Sequence, residues 1–135
     1  MPVVIEEKGT SLVRGWLEED PHIATWAMTR LEIASALDRR YRQGLLSFAD
    51  RTRALARFAA LFRAWDEVVD VVPVVERALA LLGRHSLRAA DAAQLAAASL
   101  LAEDDPASLR FACLDRRLAQ AAHAEGFTVL TWPAA

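Results

Sequence analysis

The chain has 135 residues, 54% of them hydrophobic and 25% charged, with a formal net charge of −2. That length suits one domain with a sizeable core and excludes two of ordinary size, and that balance excludes a disordered chain. The charge excludes a global positive field for nucleic acid, although a local basic rim can still steer one.

Helical periods alternate with short apolar runs, which predicts an α/β domain with a mainly parallel sheet. A first helix is expected over about Thr10 to Glu19, with Leu12, Val13, Trp16 and Leu17 on one side and Pro21 as its stop. His22-Ile23-Ala24-Thr25 reads as a short strand, followed by a helix from near Met28 to about Arg42 with Gly44 just past its end. Ser47 and Asp50 signal the cap of a third helix, whose Leu55, Phe58, Phe62 and Trp65 have the spacing of a buried face. Val68 to Val72 is β-branched and reads as a strand ended by Pro73, which is placed to open a helix burying Val75, Leu79 and Leu82 and ending near Gly83. A further helix is expected from near Ala89 to about Glu103, then a solvated turn through Pro106. The chain closes with a strand from Phe111 to Leu114, a helix from Arg116 to Glu125 ended by Gly126, and a strand from Phe127 to Thr131. Four short strands among so many helices make a thin sheet, and the first expected element is a helix with no strand to cross over from.

Cys113 is the only cysteine, so no intrachain disulfide and no thiolate metal cluster is expected. The start MPVVIEEKG has no basic n-region, and the apolar segment Ala92–Ala102 is shorter than a bilayer span, so a soluble cytoplasmic protein is expected. Fifteen of the sixteen basic residues are Arg, with Lys8 the exception. Alongside abundant Ala this fits the codon bias of a GC-rich genome, so Arg content alone points to no function.

Three acids stand in apolar settings at the starts of helices: Glu32 in MTRLEIA, Asp91 in LRAADAAQL, and Asp115 directly after FACL. Ligands of open parallel sheets gather beyond the carboxyl ends of strands, where helices begin, so the three could share one crevice. Each also has a purely structural explanation. Thr29-x-x-Glu32 fits a capping box, Asp91 suits the positive end of a helix dipole, and Asp115 is an acceptable N-cap.

The local strings resemble a known family. ATWAMTRLEIASAL at 24–37, LRAADAAQLAAA at 87–98 and FACLDRRLAQAAHAEGF at 111–127 are similar, in order and separation, to the segments that carry the second, third and fourth conserved acids of PIN domains. The likeness runs from Glu6 to Thr131, and the length is that of the VapC-type toxins of bacterial toxin–antitoxin pairs. It implies a single PIN-like three-layer α/β domain over 1–135, a small mainly parallel sheet flanked by helices. Glu32, Asp91 and Asp115 would hold Mg²⁺ (or Mn²⁺) and hydrolyse RNA phosphodiesters. Partners implied are an RNA substrate, a cognate VapB-type antitoxin and a second copy in a homodimer. The family usually has Ser or Thr two residues before its last Asp, where this chain has Cys113.

The family's first acid ends an opening central strand, and Glu6–Thr25 aligns to the part after it. That strand and its Asp would therefore lie upstream of Met1, through a shortened form or a true loss. In a third reading, which needs a gap in the alignment, Val3-Val4-Ile5 is the strand and Glu6 replaces the Asp. The rival to a nuclease is a PIN-like module that binds a partner or RNA without cleavage.

Arg88, Arg116 and Arg117 flank two of the acids and are candidates for RNA phosphate contacts, the alternative being surface pairs with nearby acids. Arg39, Arg40 and Arg42 suit a helix C-terminus. His22, His85 and His123 match no metal spacing. Trp16, Trp26, Phe58, Phe62 and Trp65 read as core or interface.

Overall fold

The computed structural model describes residues 23–103, 105–113 and 115–130, which form an α/β arrangement of five helices and four short strands. The expected first helix, Val3–Ile5, Glu6, Trp16 and His22 lie outside these residues. Two compact units divide the chain, the first ending at Glu67 and the second beginning at Val68.

In the first unit, strand β1 (Ala24–Trp26) leads into helix α1 (Thr29–Arg42). The helix stops where Gly44, at φ 74°, places its own N–H on the Tyr41 carbonyl and the Leu45 N–H on that of Arg40. A side chain is strained at that positive φ, so glycine is what ends the helix here. Helix α2 (Phe48–Ala64) begins as its sequence signals: the Ser47 hydroxyl accepts the Asp50 N–H at 3.0 Å. Leu37, Ala54 and Phe58 form the buried centre, with Ile33, Leu46, Leu55, Leu61 and Phe62 packed around them. Trp26 is buried too, and Phe62 stacks edge-on to Trp65. The expected stripe of α2 is thus the observed one. Ion pairs Asp38–Arg51, Asp50–Arg53 and Arg30–Glu67 decorate the surface.

Strand β2 occupies Asp66–Val68, not Val68–Val72, and pairs with β1. Helix α3 (Val71–Arg84) takes Val71 and Val72 instead. Pro73 therefore sits within the first turn, where its missing N–H would have had no helical partner. Val74 and Leu81 are the fully buried residues of α3, whereas Val75, Leu79 and Leu82 are 48%, 64% and 39% exposed, which corrects the expected face. Apolar residues surround this helix on several sides, so their spacing does not single out one face.

In the second unit α3 packs chiefly against α4 (Ala89–Leu101). Ala92, Leu95, Ala96 and Ala97 are buried along α4. A 3₁₀ turn (Pro106–Ser108) precedes β3 (Arg110–Ala112), α5 (Arg116–Ala124) and β4 (Thr128–Leu130). Strands β3 and β4 run parallel with Phe111 opposite Val129, and α5 is their crossover. The Phe111 and Phe127 rings pack with centroids 5.7 Å apart. Two two-stranded sheets thus stand where one small sheet was expected. Among the described residues no helix is long and apolar enough to cross a membrane.

Candidate functional site

The β3–α5 junction and the start of α4 supply the acids of the second unit. Asp115 is the N-cap of α5: extended at φ −87°, ψ 125°, it accepts the Leu118 N–H on Oδ1 at 2.9 Å. The cap explanation of Asp115 is therefore correct, and it engages one oxygen in that bond. Asp91 lies in the first turn of α4, half-buried, and no cap hydrogen bond opens that helix.

The charge of Asp115 bears on Asp91. Burial pushes the Asp91 carboxyl above its ordinary value, the charge of Asp115 pushes it further, and Arg88 opposes both. Two like charges near one site favour the neutral form of the more buried partner. Cys113 shares the locality, with Sγ 3.6 Å from the Asp115 carbonyl oxygen. Burial pushes its thiol up to about 11 against that hydrogen bond, and the charges of Asp115 and Asp91 add to the rise.

Glu32 lies in the first unit, half-buried in the first turn of α1. The capping box expected with Thr29 is not formed, because Thr29 is already helical and Met28 is the N-cap, with no side-chain hydrogen bond.

Carboxylates are hard oxygen donors, and Mg²⁺ is commonly held by one or two of them while it keeps several waters. Asp91 and Asp115 are donors of this kind, and a cation beside them would oppose the like charge that adds to the burial of Asp91. Among the described residues no group of three or more His, Cys, Asp and Glu is placed to hold a metal ion. The pair suits an open, water-rich site and not a cage.

Of the three candidate arginines, Arg88 acts electrostatically on Asp91, while Arg116 and Arg117 are exposed on α5. Sequence reading missed a second group. His85, the C-cap of α3, places Nε2 2.7 Å from Glu125 Oε2, and Arg84 bonds the same carboxylate at 2.9 and 3.2 Å. Burial opposes the charge of Glu125, but the hydrogen bonds from Arg84 and His85 outweigh it and hold the carboxyl below its ordinary value. An ionised carboxylate only accepts, so Nε2 carries the hydrogen. No local motif joins these residues, since α4, β3 and α5 intervene. Beside them His85, Ser86, Arg117, Gln120 and Ala121 line a cleft of about 340 Å³.

No protein-family model and no curated protein matches the chain.

Proposed function

We propose that the chain is a PIN-like, VapC-type endoribonuclease that hydrolyses RNA phosphodiesters with the aid of Mg²⁺ or Mn²⁺. The observation that supports it most is the placement of Asp91 and Asp115, two acids from separate motifs of the resemblance, at the starts of two helices of the second unit, where the charge of Asp115 adds to the burial that raises Asp91. Glu32 joins them by the resemblance alone, as do a VapB-type antitoxin, a homodimer and a cytoplasmic setting.

Asp91 and Asp115 would hold the cation. When bound, it supplies stabilisation of the charge that develops on the phosphoryl oxygens. Asp115 contributes a carboxylate fixed in direction by the Leu118 N–H, so little reorientation is needed on binding. Asp91, whose carboxyl is held above its ordinary value chiefly by burial, suits the role of taking the proton from the attacking water.

A second reading is a PIN-like module that binds RNA or a partner without cutting. It is favoured by the absence of a three-residue metal group among the described residues and by the use of Asp115 as a cap. RNA cleavage with Mn²⁺ by the chain and by Asp91→Asn separates the two. Cleavage lost in the variant supports the nuclease; no cleavage by either form supports the binding module.

A further inference from the structure

The cleft beside the His85–Glu125 contact has a mostly polar lining. His85 and Ser86 leave the end of α3, and Arg117, Gln120 and Ala121 share one face of α5 at helical spacing. Arg117 brings a guanidinium, Ser86 a hydroxyl, Gln120 an amide and His85 an imidazole, while buried Ala121 contributes only a methyl group. No acid lines the cleft. The nearest carboxylate of the network, Glu125, is engaged by the Arg84 fork and by His85 Nε2. A volume of about 340 Å³ is at the lower end for a ligand pocket, room for one small group and not for an extended chain.

We propose that this cleft binds a nucleotide phosphate, and that it seats a phosphate of the RNA strand other than the one being cut. The inference rests on the ribonuclease reading and deepens it by naming a strand-positioning site. Arg117 offers the planar fork that matches phosphate oxygens, with Ser86 and Gln120 as neutral donors. Arg117 and Gln120 lie on α5, the helix that Asp115 caps, so the proposed phosphate seat and one of the two acids belong to the same helix. Arg117 is a positioning residue, not one that touches the reacting atoms.

The test is titration of the full chain with cytidine 5′-monophosphate, inorganic phosphate and acetate, followed through the amide resonances of Ser86 and Gln120. Saturable shifts with the nucleotide and with phosphate but not with acetate are expected. Arg117→Gln should weaken nucleotide binding by about tenfold, the loss of a charge-assisted hydrogen bond. Gln120→Leu should weaken it less, and Arg53→Gln, an exposed residue that does not line the cleft, not at all. In RNA cleavage Arg117→Gln should raise KM and leave kcat near its original value. Absence of saturable shifts, equal shifts with acetate, or unchanged affinity in Arg117→Gln would overturn the assignment. Cleavage without nucleotide binding in the cleft overturns this inference alone. Binding without any cleavage supports the cleft and contradicts the nuclease.

Discussion

Asp91 and Asp115 cap or open different helices of the second unit, yet the charge of one raises the pKa of the other. For Asp91 the ionised form is the costly one in the folded state. The cost is present above its folded pKa and is relieved as pH falls below the ordinary Asp value of about 3.9. Asp91→Asn should therefore melt higher than the parent at pH 7, and the gain should shrink in acid. Thermal melts from pH 3 to 8 check this, and a lower melting temperature at pH 7 would contradict it.

A cation held by the pair should reverse that order. Mn²⁺ at a hundred times its Kd would stabilise the parent by about 2.7 kcal/mol and Asp91→Asn by much less. The readout is the shift in melting temperature with added metal, which does not depend on activity.

Asp115 carries two separable properties, its cap and its charge. Asparagine caps a helix as well as aspartate does, whereas Asp115→Ala should cost about 0.5–2 kcal/mol. Asp115→Asn is thus expected to fold with near-parent stability, to lower the Asp91 pKa toward its ordinary value, and to lose cleavage. Chemical denaturation and a carboxyl titration of Asp91 by NMR check the first two; an unmoved Asp91 pKa would show that the two acids do not interact.

Glu125 is depressed by Arg84 and His85 against the opposing effect of burial, so its stabilisation is complete above the unfolded Glu value of about 4.3 and disappears as pH falls through the folded pKa. Glu125→Gln should cost on the order of 1 kcal/mol at pH 7 and flatten the acid limb of the stability curve. Denaturation at pH 7 and pH 3 distinguishes this from a pH-independent packing loss.

Leu95 is fully buried on α4, a helix rich in alanine whose main packing partner is α3. Leu95→Ala should lose about 2–5 kcal/mol. A loss below 1 kcal/mol would show its surroundings to be loosely packed.

What the sequence made legible is what local chemistry decides. Ser47, Gly44 and Asp115 end or begin helices through bonds to backbone groups a few residues away, and their helices fall within a residue or two of expectation. The α2 stripe is also local, since polar residues separate its apolar positions clearly. The face of α3 was not legible, because Val71, Val72, Val75, Leu79 and Leu82 make apolar spacing ambiguous and only packing against α4 selects Val74 and Leu81. Thr29 lost its cap role because α1 starts at Thr29 itself, with Met28 as the N-cap. At the site, each acid was visible as an acid at a helix start. The His85–Glu125 contact was not, since it depends on how α3 and α5 meet in space.

The carboxylate pair as a hydrolytic centre is tested most directly by incubating the full chain and Asp91→Asn with RNA and Mn²⁺ and measuring the rate of phosphodiester cleavage. The expected result is metal-dependent cleavage by the parent and a loss of about a hundredfold or more in the variant, the scale of removing an acid–base group. Equal rates in the two, or no cleavage by either, would contradict it.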